Sequence, residues 1–156
     1  MTSGPVVCNS SPLIALERLG RLDLLQQLFH TVLIPPAVIA EISPRLALPG
    51  WVVERRLNGP VDPHIPATPL GAGEIEAISL SVEINARRVI LDDRAARRLA
   101  QSRGVPIIGT LGVLLAAKRR GILPDIRSHL DALIYDGFHI GPALYERILS
   151  DARELP

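Results

Sequence analysis

The chain has 156 residues, of which 47% are hydrophobic and only 3% aromatic, and its formal net charge is +1. This length and apolar content predict a single domain over residues 1–156 with an aliphatic core. The scarcity of aromatic residues argues against a stacking platform for single-stranded nucleic acid. The near-neutral charge excludes a chain-wide positive field, although it is compatible with a local basic patch.

The sequence also excludes several other classes of protein. One cysteine, Cys8, cannot form an internal disulfide framework or a cysteine-based zinc site. No apolar run reaches the roughly 18 residues of a membrane span, and the first twenty residues lack the pattern of a secretory signal. No nucleotide-binding glycine loop and no G-x-S-x-G motif is present. We therefore expect a cytoplasmic protein without a membrane segment.

Short apolar runs alternate with helical patterns along the chain. The runs predict strands at 5–8, 31–34, 88–91 and 105–109, and WVVERRL predicts a short edge strand. The helical periodicity predicts helices at 12–20, 22–28, 35–43, 71–86, 94–104, 110–121, 124–136 and 142–154. This alternation predicts an α/β fold, a parallel sheet with helices on both faces.

The segment 44–70, which contains WVVERRL, is rich in proline and glycine. It has two interpretations. The segment is either an insertion that covers the site or a loop that packs late in folding.

Acidic residues lie where the predicted strands end and the predicted helices begin. They are Glu41, Glu74, Asp92 and Asp93, and Asn9 follows the first strand. Ligands of open parallel sheets bind outside the carboxyl ends of the strands. Converging carboxylates repel one another unless a proton or a cation resolves the repulsion. Because Mg²⁺ prefers oxygen ligands, this pattern predicts a divalent metal site.

Each of these residues also has a purely structural interpretation. Asp93 can cap the helix that follows it, which leaves Asp92 as a solvated turn residue. Glu74 can complement the dipole at the start of its helix, and Asn9 can form a turn. Glu41 lies near a helix C-terminus, where an acid is unfavourable without a metal or a basic partner, unless it is simply at the surface.

Further polar residues near these positions are candidates for substrate binding. Ser11 and Thr110 can each bind a ligating water or a phosphate oxygen, and both are also ordinary helix caps. Arg94 and Arg97, within the basic run after Asp93, can contact phosphates. The alternative is that this run is a solvated helix face.

Taken together, these segments resemble a PIN-like domain, of a prokaryotic branch related to the VapC-type toxin ribonucleases. The matching segments occur in the expected order and span most of the chain. They are NSSPLIAL at 9–16, IPPAVIAEI at 34–42, LGAGEIEAISLS at 70–81, VILDDRAARRLA at 89–100 and VPIIGTLGVLLAAKRRGILP at 105–124.

The resemblance implies an α/β/α sandwich around a parallel sheet, with C-terminal helices at 124–154. It implies hydrolysis of RNA with Mg²⁺ or Mn²⁺, and metal-binding roles for Glu41, Glu74, and Asp92 or Asp93. The serine after the first acidic position of the family corresponds to Ser10 or Ser11. Many such proteins are toxins, so an antitoxin partner is implied, as is a homodimer.

The first acidic position of the family is Asn9 in this chain. An amide oxygen can ligate a metal, but it contributes no charge, so a second metal ion is in doubt. This departure supports a second hypothesis, a weak or inactive PIN-like module that binds RNA or a partner protein. A third hypothesis is an unrelated small α/β enzyme that acts on a phosphorylated metabolite.

Overall fold

The structure, a computed structural model, describes residues 4–65 and 70–155. The strands are β1 (Val6–Cys8), β2 (Val32–Ile34), β3 (Val52–Glu54), β4 (Arg88–Ile90) and β5 (Ile107–Ile108). The helices are α1 (Ser10–Arg18), α2 (Asp23–Phe29), α3 (Pro36–Ile42), α4 (Ala72–Glu83), α5 (Arg94–Ser102), α6 (Thr110–Arg119), α7 (Arg127–Tyr135) and α8 (Pro142–Asp151).

The five strands form one sheet in the order β3-β2-β1-β4-β5, and all of its pairs are parallel. Helices flank this sheet, which confirms the predicted α/β/α architecture. WVVERRL supplies the edge strand β3, as predicted. Because the strand order reverses at β1, the carboxyl ends of β1 and β4 border the switch point at which open α/β sheets bind ligands.

Apolar side chains pack on both faces of the sheet. In β1, Val6 and Cys8 join a core with α1, α2, α6, α7 and α8, and Val7 joins a second core with α4 and α5. Successive residues of a strand point to opposite faces, so β1 contributes to both cores. All three residues of β1 are buried, as expected for a strand covered on both sides.

Two helix starts differ from the sequence prediction. Asn9 holds the N-cap position of α1, and Gly109 holds that of α6, whereas Ser11 and Thr110 were the expected caps. Thr110 is instead the first residue of α6. The reason is that both helices begin directly at the ends of their strands, with no intervening turn.

Part of segment 44–70 packs away from the carboxyl edge of the sheet. Backbone N–H groups of Asn58 and Gly59 donate to Glu83 at the end of α4, over 3.0 and 3.2 Å. Arg103, just after α5, pairs with Asp62 at 2.9 Å. Both helices end at the amino edge of the sheet, so residues 58–62 do not cover the site. Residues 66–69 lie outside the described residues.

Among the described residues, no helix combines the length and the apolar character needed to cross a bilayer.

Candidate active site at the carboxyl edge of the sheet

The pairing of β1 with β4 brings two of the predicted site residues together. Cys8 is in register with Ile90, and the Asn9 N–H donates to the Ile90 carbonyl over 3.1 Å. Asn9 therefore lies beside the chain that leads into Asp92. Burial and then the Asp92 carboxylate raise the pKa of the Cys8 thiol, which is consistent with this proximity.

Asp92 is held in a fixed position by Thr110. Its Oδ1 accepts from the Thr110 N–H at 2.7 Å, and its Oδ2 accepts from the Thr110 hydroxyl at 2.6 Å. Burial raises the pKa of Asp92, although these hydrogen bonds and the charge of Arg97 oppose the shift. Thr110 is fully buried, so it positions a carboxylate and is not exposed to a substrate.

Gly109 leaves room for an arginine beside this carboxylate. A Cβ at Gly109 would lie 2.6 Å from Nη1 of Arg97 and 3.0 Å from Oδ1 of Asp92. Any larger residue at this position would displace one of the two groups. Glycine here therefore permits a cation to stay near a buried, negatively charged carboxylate.

The Glu41 carboxylate is bound between α1 and α4. The Ser10 hydroxyl donates to Oε1 of Glu41 over 2.9 Å. On the other side, a Cβ at Gly73 would overlap that same oxygen. The serine and the glycine together orient Glu41, which sits near the end of α3 and is otherwise exposed.

Glu41 and Asp93 each lie close enough to Glu74 to interact with it electrostatically. Partial burial raises the pKa of Glu74, and so do the charges of Asp93 and Glu41, against the opposing hydrogen bond from the Gly71 N–H. Asp93 caps α5 by accepting from the Ala96 N–H at 2.9 Å. The predicted cap at Asp93 is thus confirmed, and capping does not remove its repulsion of Glu74. The other half of that structural interpretation is wrong, because Asp92 is largely buried and bonded to Thr110 and is not a solvated turn residue.

The neighbouring acid Glu76 has a different role. Its Oε1 accepts from the Ala37 N–H at 3.1 Å and so binds the start of α3. Glu74 and Glu76 are only two residues apart on α4, yet Glu74 lies at the candidate site and Glu76 joins α4 to α3.

The Oδ1 atom of Asn9 is buried and has no hydrogen-bond partner among the described residues. A buried acceptor without a partner is costly, and a cation or a water would satisfy it. The amide oxygen of Asn9 and the carboxylate oxygens at this edge are the kind of ligand that fits Mg²⁺ or Mn²⁺. However, no group of three His, Cys, Asp or Glu side chains in the described ranges is arranged to hold an ion. The donor chemistry fits, and the carboxylates would have to turn toward a bound metal.

Two clefts open at this edge, and both are lined by Asp92, Phe138 and His139. The α1 cleft, of about 520 Å³, is lined in addition by Ser11, Ile14, Ala15, Arg18 and Arg45 from α1 and the chain after α3, and by Asp93, Leu133, Asp136 and Gly137. The α5 cleft, of about 680 Å³, is lined in addition by Arg94, Arg97, Arg98 and Gln101 of α5, by Ile107 and Leu111, and by residues 141–144.

The predicted substrate-binding residues that line a cleft are divided between the two clefts. Ser11 lines the α1 cleft, and Arg94 and Arg97 line the α5 cleft. Sequence reasoning missed Phe138 and His139, which lie between α7 and α8 in a stretch without helical periodicity. No signal in that stretch distinguishes them from ordinary loop residues.

A family model described as a PIN domain matches residues 5–154. The chain therefore belongs to the PIN-domain family. A search of curated proteins found no match, and neither did a search of solved structures.

We predict that Asp92→Asn raises the stability of the fold near neutral pH. The folded state raises the pKa of Asp92, so the stability associated with its proton is present at low pH and is lost as pH rises through the folded pKa. Above that pKa the ionised carboxylate costs stability, and a neutral amide removes this cost. Thermal unfolding at pH 7 should show a higher Tm for Asp92→Asn, and the gain should shrink as the pH falls through the raised folded pKa toward about 4, the ordinary pKa of an aspartate.

Asp93→Asn is the matched control, because asparagine caps a helix about as well as aspartate and Asp93 is exposed. Its Tm should change little. A lower Tm for Asp92→Asn than for Asp93→Asn at pH 7 would contradict this account of the buried carboxylate.

Proposed function

We propose, from the membership of the PIN-domain family, that this chain hydrolyses RNA phosphodiester bonds with Mg²⁺ or Mn²⁺. PIN domains are typically nucleases, and the family supports a function of that general type. The observation that carries the finer proposal is the Oδ1 of Asn9, which is buried and has no hydrogen-bond partner in the part of the chain that the structure describes, at the edge where β4 leads into Asp92. A cation that is bound by oxygen ligands at this edge would satisfy the unpaired acceptor.

The residues that would hold the metal are Asn9, Glu41, Glu74, Asp92 and Asp93. A bound divalent ion supplies a Lewis acid that activates water and offsets charge on a phosphate. Glu74 supports this assignment, because the nearby charges of Asp93 and Glu41 add to partial burial, the largest cause, in raising its pKa. Such repulsion is relieved when a cation binds between carboxylates.

The chain's own residues would orient and bind the substrate. Thr110 keeps Asp92 in place through two short hydrogen bonds, and Ser10 orients Glu41. Arg94 and Arg97 line the cleft next to Asp92 and would bind phosphate oxygens through charge-assisted hydrogen bonds. Ser11 would contact the substrate from the α1 cleft.

The same proposal makes this chain the toxin of a toxin–antitoxin pair that acts in the cytoplasm. An antitoxin would block the clefts at Asp92. A homodimer is also proposed, with the C-terminal helices at its interface. The large exposed side chains of Ile134 and Tyr135 on α7, 42% and 92% exposed, support a contact surface there.

The proposal predicts metal-dependent cleavage of RNA. Glu74→Gln and Asp92→Asn should each lower the rate by about 100-fold or more, because each removes charge at the site where charge develops. Gel analysis of the RNA products measures the cleavage rate in Mn²⁺, and the same reaction with EDTA in place of Mn²⁺ tests the metal dependence.

Glu76→Gln is the matched control, because it lies on the same helix as Glu74 and glutamine can still accept from the Ala37 N–H. Its rate should stay near that of the wild type. The proposal fails if the wild type does not cleave RNA in Mn²⁺, or if Glu76→Gln loses as much activity as Glu74→Gln.

The second candidate function is a catalytically weak or inactive module that binds RNA or a partner protein. Two observations favour it: the amide of Asn9 at the first acidic position and the absence of a ready three-ligand group among the described acids. Asn9→Asp discriminates between the two functions, because it adds the charge that Asn9 lacks.

For an active enzyme we expect Asn9→Asp to change the Mn²⁺-dependent rate by less than about tenfold, since the oxygen ligand is already present. A much larger gain in the cleavage rate would indicate that the site of the wild type has lost activity, and the hypothesis of a weak or inactive module would then be preferred to that of an active enzyme. Product formation under identical metal concentrations measures the difference, with Asn9→Ala as the variant that removes the oxygen ligand.

A further inference from the structure

The segment 136–141 between α7 and α8 separates two clefts that meet at Asp92. Phe138 and His139 line both of them. Phe138 is partly buried against the core, and its N–H donates to the Leu133 carbonyl over 2.9 Å. The aromatic ring is therefore anchored at the junction of the two clefts and is not on a free loop.

Each cleft follows one face of one helix. In α1 that face consists of Ser11, Ile14, Ala15 and Arg18, and in α5 it consists of Arg94, Arg97, Arg98 and Gln101. Both sets have the spacing i, i+3, i+4, i+7, which is a single stripe about 10 Å long. Both helices begin at the carboxyl edge, so the stripes start on either side of Asp92 and lead away from it.

The two stripes differ in chemistry. The α5 stripe carries three guanidinium groups and one amide, which suits a run of phosphates. The α1 stripe is apolar at Ile14 and Ala15, shares its cleft with Leu133 and Phe138, and ends at Arg18. Asp93 and Asp136 also line this cleft, so it does not suit a run of phosphates. Apolar and aromatic walls with a cation at the far end suit an unpaired nucleobase attached to a charged backbone.

We propose that the α1 cleft is a nucleobase subsite, with Phe138 as its stacking surface, and that the α5 cleft holds the sugar-phosphate backbone on the other side of Asp92. This inference rests on the proposed RNA hydrolysis and adds the division of the substrate between the clefts. A base must leave its stack to enter the α1 cleft, so the substrate is single-stranded RNA. One ring stacks one base, so this subsite does not require the many aromatic residues of an extended stacking platform, which the composition argues against.

The test compares binding of two fluorescent probes to the full chain in EDTA, where no cleavage occurs. One is an adenosine octamer of RNA, and the other is the same backbone without bases. Wild type should bind the adenosine octamer about 5- to 160-fold more tightly, which is the range for one stacked base. Phe138→Leu keeps an apolar side chain without a ring and should lose most of this preference, whereas Phe138→Tyr should retain it.

Arg98→Gln should weaken binding of both probes by the same factor, because it removes a phosphate contact. Arg119→Gln, in the last turn of α6 at the opposite edge of the sheet, is the matched charge control and should change neither. Equal weakening in the two arginine variants would overturn the assignment of the α5 cleft.

The proposal is overturned if wild type binds both probes equally. It is also overturned if the Phe138→Leu variant keeps the full preference for the adenosine octamer while its far-ultraviolet circular dichroism spectrum matches that of the wild type, which shows that the variant is folded. In either case RNA cleavage in Mn²⁺ would leave the proposed function standing. If the wild type does not cleave RNA but its preference for the adenosine octamer depends on the ring of Phe138, the proposed RNA hydrolysis is rejected and the nucleobase subsite is retained.

Discussion

The parallel pairing of β1 with β4 is the constraint on which the candidate site depends. It places the end of β1, with Asn9, against the chain that enters Asp92. The helices that follow these strands, α1 and α5, must then start on either side of the same point. The positions of both clefts and of Ser11 and Arg94 follow from that single pairing.

This arrangement costs stability, and the cost is concentrated at the site. Asp92 is largely buried with a raised pKa, and Glu74 carries the added repulsion of two other acids. The Oδ1 of Asn9 has no partner among the described residues. Structural residues do not need such features, whereas active sites are where unpaired polar groups and perturbed carboxylates accumulate. Thr110 and Gly109 make the arrangement possible by binding Asp92 and by leaving space for Arg97.

The alternation of apolar runs and helical patterns was enough to predict the parallel sheet, because the period of each segment is a local property. The register of β1 on β4 was not predictable, since it arises from packing between segments about eighty residues apart. Thr110 illustrates the difference. Its position after a strand predicted a helix cap, yet its hydroxyl bonds Asp92, eighteen residues earlier. Phe138 had no local signal because its position depends on how α7 and α8 dock.

The most direct test of the central claim is anomalous diffraction from crystals grown with Mn²⁺. The account predicts a peak bonded to Oδ1 of Asn9 and to at least one of the carboxylates Asp92, Asp93, Glu41 and Glu74. A site of this kind would show that the β1–β4 edge binds a divalent cation despite the missing first acid. Crystals whose Mn²⁺ peaks all lie elsewhere, with a water on Asn9, would contradict the proposed metal-dependent nuclease.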